Sequence, residues 1–491
     1  MSISCVSHAR TSVQADAVIV FSFSDEKGLK AFAKQLTTDL PHLQPVLSSG
    51  DFTGAKLSAV TTYVGSAAKA PRFILVGLGA AADVSVELLR RAAAVGVNRA
   101  AALGCTHAAL ELPSVKGISE YDVAHAMTEG AVLSQYKFTK YKTTDKTKLV
   151  KKTTLITAAE NLSEARKGSK DAALVAEGVI VARNLASAPN NEIHPQTLAS
   201  EARSLGRKHG FSVSILDKKK ITELKMGGLL GVNKGSARPP VFIIMEHRGG
   251  PKGQKPIVLV GKGVTFDTGG ISIKPAAGMS DMKGDMHGAA TVIGTMVAAA
   301  NLGLKRNIVG LVPATDNMPD GNAIVPGDIL TFMNGKTAEI DNTDAEGRLI
   351  LADALCYADR YKPECVIDLA TLTGACVVAL GFETTGMMGT DDDAKQRLTK
   401  AGCRTHERVC ELPLYEEYED LISSDVADIK NSGGRWAGTI TAGLFLKHFV
   451  SYPWVHLDIA GTANHPKGNY YVTRGQTGVG VRMLTDALRN W

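Results

Sequence analysis

The segment Asn342-Thr343-Asp344-Ala345-Glu346-Gly347-Arg348-Leu349 concentrates charge within a few residues. Asp344, Glu346 and Arg348 alternate with uncharged residues, so an extended backbone would direct all three side chains to one face. A short strand-like run precedes the segment, and the apolar residues after it recur at helical spacing. We therefore expect a charged cluster at a strand-to-helix junction, where open α/β sheets hold their active sites.

Length and composition predict a large, reduced, non-membrane protein. With 491 residues, of which 44% are hydrophobic and 21% charged, the chain is too long for one compact core, so we expect two domains. No run approaches the roughly 18 apolar residues of a membrane span, and the N-terminus lacks the apolar core of a signal peptide. Seven scattered cysteines fit a cytoplasmic protein, and a net charge of +6 does not by itself indicate nucleic acid.

Strand-like and helical runs alternate along the chain, which predicts an α/β fold. We expect a smaller N-terminal α/β domain over residues 1–168, with a role in assembly or regulation. A linker helix would follow over 169–188, with Ser169 as its cap. The larger catalytic domain would occupy 189–491, with a mixed, largely parallel central sheet flanked by helices.

A second group of charges follows other strand-like runs. Lys262 and Asp267 lie in a glycine-rich stretch after a buried-looking strand, and Lys274 and Asp285 come later. With the pair in the opening segment, this gives four carboxylates from three strand ends, which would repel one another unless cations lay among them. Isolated surface charges usually form simple ion pairs. Charges flanked by glycines at several strand ends favour a functional site instead.

The balancing cations are either protein ammonium and guanidinium groups or bound metals. Oxygen ligands suit Mg²⁺ or Mn²⁺, Zn²⁺ also accepts carboxylates, and four carboxylates are enough for two divalent ions. His287 is the one histidine in these segments, and we expect it to pack rather than to bind metal. These residues by themselves are compatible with phosphoryl transfer or with amide hydrolysis.

The opening segment resembles the signature octapeptide of the leucyl aminopeptidases, the two-metal cytosol aminopeptidase family. The resemblance continues in five further motifs: Val260 to Gly270, Lys274-Pro275, Met282 to Met286, Asp368 to Ala375, and His456 to Gly461. It covers the chain from about Val181 to the C-terminus. The N-terminal part is similar to the family in length and pattern only.

The resemblance implies two divalent metal ions, Zn²⁺ or Mn²⁺, with Mg²⁺ and Co²⁺ as further candidates. A tightly held ion would be bound by Lys262, Asp267, Asp285 and Glu346. A more exchangeable ion would be bound by Asp267, Glu346 and Asp344. The lysine would have to coordinate as a neutral amine, which two neighbouring dications favour.

The resemblance also implies the catalytic groups and the substrate pocket. Lys274 would polarise the scissile carbonyl, and Arg348, with Gly347 and Leu372, would hold a bicarbonate that acts as general base. The pocket for the first side chain of the substrate would be lined by Met282, Asn342, Thr371, Gly374 and Ala463. His287 departs from the small residue usual in relatives, which affects the expected pocket shape.

The activity implied is release of N-terminal, preferentially leucine-like residues from peptides by a homohexameric cytoplasmic enzyme without a membrane partner. An alternative role is nucleic-acid binding, since some members of the family bind DNA. Seven lysines between Lys137 and Lys152 could follow a phosphate backbone. Such a run is more often a solvated surface loop, and that interpretation is favoured.

Overall fold

The computed structural model describes residues 1–145 and 147–491, which form two compact units. Unit 1 comprises Met1–Ala176 and Lys467–Thr473, and unit 2 comprises Glu177–Pro466 and Arg474–Trp491. The segment Lys467–Thr473 is therefore part of unit 1, although it is distant from the rest of that unit in sequence. Among the helices of the described residues, none has the length and hydropathy required to cross a membrane.

Unit 1 contains a six-stranded sheet with the strand order β1-β6-β5-β2-β4-β3. Five strands are parallel, and β3 pairs antiparallel with β4 at one edge. The strands are β1 (Ser2–Val6), β2 (Ala17–Phe23), β3 (Ala59–Tyr63), β4 (Arg72–Gly79), β5 (His107–Glu111) and β6 (Lys152–Ile156). The helices are α1 (Glu26–Asp39), α2 (Gln44–Ser48), α3 (Val86–Ala102), α4 (Glu120–Ser134) and α5 (Leu162–Ser187), the last of which continues into unit 2.

The central strands of unit 1 are buried on both faces. Strand β2 has the sequence AVIVFSF, a nearly continuous apolar run of the kind found in parallel sheets covered by helices on both sides. Side chains of α3 and α4 pack on one face and those of α1 on the other. Ser85 and Ser119 cap α3 and α4 by accepting hydrogen bonds from Leu88 N and Asp122 N.

The helix predicted to begin at Ser169 instead begins at Leu162. Ser169 lies inside the helix, where its hydroxyl donates to the carbonyl of Arg166 at 3.1 Å and contacts Cys5 Sγ. A serine hydroxyl that bonds back to the preceding turn is compatible with a helix interior, so the residue does not mark an end. The polar residues before it form the exposed side of the first turns.

Unit 2 contains a nine-stranded mixed sheet with the order β16-β15-β18-β14-β9-β11-β8-β7, and β10 pairs with β11. Its main strands are β7 (Ser212–Leu216), β8 (Val241–Arg248), β9 (Ile257–Gly261), β10 (Gly263–Asp267), β11 (Asn307–Asn317), β14 (Cys365–Ala370), β15 (Thr385–Gly389), β16 (Val409–Glu411) and β18 (Trp454–Asp458). The smaller sheets contain β12 (Ile329–Thr331), β13 (Thr337–Glu339), β17 (Ile429–Lys430), β19 (Asn464–His465) and β20 (Gly475–Gln476). The predicted α/β class with a mixed, largely parallel sheet is confirmed.

Helices cover both faces of this sheet. They are α6 (Pro195–His209), α7 (Lys218–Glu223), α8 (Gly227–Asn233), α9 (His287–Leu302), α10 (Gly347–Ala358), α11 (Gly374–Leu380), α12 (Asp392–Thr405), α13 (Gly438–Lys447) and α14 (Val481–Arg489). Side chains of α8, α10 and α13 share one hydrophobic core with the sheet. Helix α9 approaches the sheet backbone closely, because a Cβ on Gly288 would lie 2.1 Å from the Leu369 carbonyl oxygen.

The sheet brings together the segments predicted to hold the site. Strands β9, β10, β11, β14 and β18 are linked by parallel pairings, so their carboxyl ends lie at one edge. The polar residues at those ends are Lys262, Asp267, Asn317, Thr371 and Asp458. Open α/β sheets place their ligand sites at this edge because several loops converge there.

Candidate metal centre

The opening segment is not extended, contrary to the expectation from its alternating charges. Residues 341–346 form a turn, Glu346 has helical dihedral angles (φ −75°, ψ −33°), and α10 begins at Gly347. Asp344 and Glu346 therefore do not share a strand face. Their carboxylates nevertheless converge, with ligand atoms within 4.8 Å of each other.

Lys262 connects two of the predicted ligand residues. Its ammonium group lies 2.8 Å from Asp285 Oδ2 and 2.9 Å from Glu346 Oε1, and it donates to the Thr371 carbonyl at 2.9 Å. A Cβ on Gly347 would lie 2.8 Å from the lysine nitrogen, so only glycine permits this approach at the start of α10. Although burial opposes protonation, the surrounding carboxylates raise the pKa of Lys262.

Asp267 uses its two oxygens differently. Oδ1 accepts hydrogen bonds from Gly269 N at 2.9 Å and from Asn317 Nδ2 at 2.8 Å. Oδ2 lies 2.8 Å from the ammonium group of Lys274, which also contacts Asp344. One oxygen is thus held by the protein framework, and the other faces a positive charge.

Three carboxylates approach one another closely enough to share an ion. Ligand atoms of Asp267, Asp344 and Glu346 all lie within 4.8 Å of one another. Asp285 joins them through Lys262 and accepts the Thr371 hydroxyl at 2.7 Å. The structure therefore brings together all five residues predicted as metal ligands.

The donor set fits divalent cations. Asp285 Oδ2, Asp344 Oδ1 and Glu346 Oε1 are buried, and each lies beside a lysine ammonium group with no second hydrogen-bond donor among the described residues. Burial and the neighbouring Asp267 carboxylate raise the pKa of Glu346, and burial raises the pKa of Asp285. Buried, clustered carboxylate oxygens are ligands that hard divalent cations prefer.

Arg348 makes its hydrogen bond to a residue outside the carboxylate cluster. Its Nη1 donates to the Asn431 carbonyl at 2.8 Å, whereas its Nε is buried without a hydrogen-bond partner among the described residues. Burial lowers the pKa of Arg348 to about 10. The Leu372 N–H, predicted to bind the same anion, donates instead to Asp458 Oδ1 at 3.2 Å. A buried guanidinium with an unpaired N–H is suited to bind an anion. Arg348 and the start of α10 are therefore candidates for binding one.

The predicted pocket residues occupy different surroundings. Thr371 contacts the metal centre through its hydroxyl, and Asn342 Oδ1 accepts the Asp344 N–H at 2.9 Å. Met282 lies half-buried in the 3-10 helix Met279–Gly284, and Gly374 is exposed at the start of α11. Ala463 is buried, and its carbonyl accepts the Thr477 N–H.

His287 is fully buried and packs at the start of α9. Its Nδ1 lies 2.7 Å from Gln476 Oε1, and its Nε2 accepts the Gly478 N–H at 3.2 Å. With both ring nitrogens engaged, and with burial lowering its pKa to about 4, the imidazole is neutral. It attaches the start of α9 to the segment around β20.

Sequence reasoning missed three residues that shape the site. Asn431 bonds to the backbone of residues 341 and 342, Thr343 donates to the Gly269 carbonyl at 2.6 Å, and Asn317 bonds to Asp267. Asn317 could have been found, because Thr315-Asp316-Asn317 is a polar run at the end of a buried strand. Nothing in the local sequence distinguishes Asn431, whose partners are about 90 residues away.

Comparison with known proteins agrees with this site. The profile of the Cytosol aminopeptidase family, catalytic domain, matches residues 180–485, and that of the family's N-terminal domain matches residues 17–145. A probable cytosol aminopeptidase of Chlorobaculum parvum is 44% identical over 98% of both chains, and one of Geobacter sp. strain M21 is 45% identical over 96% of both.

Two kinds of solved structure are similar over nearly the whole chain. A mutant of tomato leucine aminopeptidase has a TM-score of 0.90 at 33% identity, covering 100% of this chain and 97% of its own. The bottromycin maturation enzyme BotP in complex with Mn has a TM-score of 0.86 at 33% identity, covering 97% and 99%. The resemblance seen in the octapeptide is confirmed, and the chain belongs to the cytosol aminopeptidase family of peptidases.

Proposed function

We propose that this peptidase is a two-metal aminopeptidase that releases N-terminal, preferentially leucine-like residues from peptides. The observation that carries the proposal is the cluster of four buried or partly buried carboxylates around Lys262 and Lys274, where three carboxylates bring ligand atoms within 4.8 Å of one another. The relative BotP in complex with Mn supports a metal in this family. The ions proposed are Mn²⁺ or Zn²⁺.

The ligands divide into two sets. Lys262, Asp285, Asp267 and Glu346 would hold one ion, and Asp267, Glu346 and Asp344 would hold the other. Divalent ions bound there would supply Lewis acidity to a peptide carbonyl and to water. The ligand set that lacks Lys262 and Asp285 is the more exposed, because Asp344 is only partly buried. We therefore expect its ion to exchange first.

The two lysines have different roles in this proposal. The Lys274 side chain is 21% exposed, whereas that of Lys262 is 4% exposed and enclosed by carboxylates. Lys274 can therefore reach a substrate carbonyl and donate a hydrogen bond to the oxyanion that develops during amide hydrolysis. Lys262 is proposed as a metal ligand and is out of reach of substrate.

Arg348 is proposed to hold a bicarbonate ion that accepts a proton from the attacking water. Its buried, unpaired Nε supports an anion at this position, and the N-terminus of α10 adds a favourable partial charge. Gly347 and Leu372 are proposed to complete this anion site; the Leu372 N–H donates to Asp458 Oδ1 in this structure. A bound base at Arg348 would supply proton transfer that the metal ligands cannot.

Selectivity is proposed to come from the apolar side of the site. The half-buried Met282 offers a flexible apolar wall that suits leucine and methionine side chains. A free substrate amine would be recognised at the metal centre, which restricts cleavage to the N-terminus. Assembly as a homohexamer and residence in the cytoplasm complete the proposal.

Metal removal tests this function directly. Exhaustive chelation should abolish hydrolysis of leucine amide, and Mn²⁺, Co²⁺ or Zn²⁺ should restore it to different degrees. Leucine and methionine amides should react faster than aspartate or glycine amides, and N-acetylated peptides should not react. Full activity of the demetallated protein would refute the metal mechanism, and efficient turnover of an acetylated peptide would refute the exopeptidase assignment.

Nucleic-acid binding by the lysine run is the second proposed activity. Lys137, Lys140, Lys142, Lys148, Lys151 and Lys152 are exposed, whereas Lys146 lies outside the described residues. Neutralising several phosphates would make DNA affinity fall steeply with salt. A gel shift that disappears between about 50 and 200 mM salt would support this activity. No shift at low salt would exclude it and leave a solvated loop.

A further inference from the structure

Asn317 is a buried amide that touches two ligand-bearing segments. It ends β11, is 2% exposed, and lies opposite Asp267 in the register of β10 and β11. Its Nδ2 donates one hydrogen bond to Asp267 Oδ1 at 2.8 Å and another to the Thr343 carbonyl at 3.1 Å. The amide therefore bridges the end of β10 and the turn that carries Asp344 and Glu346.

The backbone of Asn317 is fixed independently. Its carbonyl accepts the Thr268 N–H at 3.0 Å and the Thr268 hydroxyl at 2.9 Å. On its other side, Asn317 Oδ1 lies 2.9 Å from where a Cβ on Gly270 would be, and Gly270 has a positive φ of 66°. Rotating the amide by 180° would turn its oxygen towards a carboxylate and a carbonyl, which are both acceptors. The hydrogen bonds thus select one orientation.

These hydrogen bonds determine which oxygen of Asp267 is available to a cation. Its Oδ1 already accepts hydrogen bonds from Gly269 N and Asn317 Nδ2, which leaves Oδ2, now beside Lys274, as the oxygen available to a cation. A carboxylate with one oxygen held by two donors has a fixed rotamer. Without the Asn317 amide, Asp267 Oδ1 would keep only the Gly269 N–H as a donor, and the carboxylate would be held less firmly.

We propose that Asn317 is a positioning residue of the metal centre, which orients Asp267 and ties it to the turn carrying the other ligands. The inference rests on the proposed function, since it assumes that the carboxylate cluster binds divalent ions. Hydrogen-bonding partners of metal ligands typically contribute about 10- to 100-fold to metal affinity. Because Asp267 is proposed to bind both ions, both binding steps should depend on Asn317.

A second buried asparagine provides a matched control. Asn233, the last residue of α8, is also 2% exposed, and its amide donates to the Arg238 carbonyl at 2.8 Å and to Thr315 Oγ1 at 3.1 Å. It makes the same number of donor contacts but touches no proposed ligand. Asn317→Leu and Asn233→Leu each replace an amide by an apolar group of similar shape, so they impose the same kind of structural cost.

The experiment measures Mn²⁺ binding to the full-length, chelator-stripped protein by calorimetry and by electron paramagnetic resonance. Asn317→Leu should weaken Mn²⁺ binding about 10- to 100-fold, whereas Asn233→Leu should stay within about threefold of wild type. Thermal unfolding of the same samples reports any general loss of stability. If Asn317→Leu does not fold, Asn317→Ala, which adds no bulk, takes its place with Asn233→Ala.

Two results would overturn the inference: wild-type Mn²⁺ affinity in the Asn317 variant, or an equal loss in the Asn317 and Asn233 variants. Failure of the proposed function would give a different result. Wild type itself would then bind no Mn²⁺, or it would stay active without metal. If wild type binds Mn²⁺ and requires it while the Asn317 variant binds normally, only the role of Asn317 is wrong.

Discussion

At the scale of single residues, the groups proposed to hold metal differ in burial and pairing from those proposed to act on substrate. Asp267 and Glu346 are almost fully buried and are surrounded by hydrogen-bond donors or ammonium groups. Lys274 and Arg348 each retain a capacity for an external partner, one by exposure and the other through an unpaired N–H. Substitutions should therefore divide into two classes with different metal content.

Lys274→Ala and Arg348→Ala should keep both metals and lose activity. Removing an oxyanion donor typically costs about 10² to 10³ in kcat, and removing a general base costs a similar factor. Asp267→Ala should instead lose metal together with activity, because it removes a residue proposed to bind both ions. Metal content and kcat are measured on the same preparations.

Two outcomes would contradict this division. If Lys274→Ala and Arg348→Ala lose metal in proportion to activity, both residues support the structure of the site and have no role in the reaction. If Arg348→Ala keeps full rate with or without added bicarbonate, no bound base acts at that position in this chain.

At the scale of elements, the turn before α10 depends on the side chain of Asn431, the residue that follows β17. Asn431 is fully buried, its Oδ1 accepts the N–H groups of Asp341 and Asn342, and its Nδ2 donates to the Asn342 carbonyl. Its own carbonyl accepts Arg348 Nη1. Asn431 thus provides hydrogen-bond partners for several backbone groups of this turn, which has no regular secondary structure.

Asn431→Ala should destabilise this turn by about 2 to 4 kcal/mol, because it leaves buried backbone groups without partners. Hydrogen exchange of residues 341–346 should accelerate, while exchange in β2 should not change. Asn334→Ala is the control, since Asn334 is exposed and caps a surface turn through Lys336 N. Equal exchange in the two variants would show that Asn431 does not hold the turn.

Strands β14 and β18 share a buried ion pair that predicts a pH dependence. His456 Nδ1 donates to Asp368 Oδ1 at 2.6 Å, and Trp454 Nε1 donates to Oδ2 at 2.6 Å. Although burial opposes protonation, the Asp368 carboxylate raises the pKa of His456 above its ordinary value. A raised pKa in the folded state means that the pair stabilises most below the unfolded pKa of about 6.5, and that this contribution is lost as pH rises through the folded value.

His456→Gln should therefore cost more stability at pH 6 than at pH 9, with a loss of about 3 to 5 kcal/mol at the lower pH. Thermal unfolding at the two pH values measures the difference. His42→Gln is the control, because His42 is exposed. A loss for His456→Gln that is the same at both pH values would mean that the histidine is neutral in the folded protein.

At the scale of the whole molecule, we predict that the chain assembles as a homohexamer. Large apolar side chains are exposed on unit 2, among them Val378 at 90% and Trp436 at 71%, and surfaces of this kind often mark protein interfaces. Sedimentation should give the mass of six chains. Val378→Glu with Trp436→Glu should lower that mass if the residues are buried on assembly, whereas a monomeric wild type would refute the hexamer.

The sequence by itself determined the α/β class, most of the strands and helices near the site, and the identity of the charged groups. It did so because apolar periodicity is local and because strand ends are marked by glycine and charge. The same signals were weaker for β1, a short strand of serines and apolar residues that pairs with β6. For the octapeptide they placed the charges correctly between a strand and a helix, β13 and α10, but did not give the conformation of the segment itself.

Only the tertiary structure decided how those groups are held. The turn at residues 341–346, the engagement of the Leu372 N–H, and the roles of Asn317 and Asn431 all depend on hydrogen bonds between distant parts of the chain. Asn317 and Asp267 are 50 residues apart, and Asn431 and Asn342 are 89 apart. A local pattern cannot specify such partners, because they meet only when the sheet has aligned the ends of its strands.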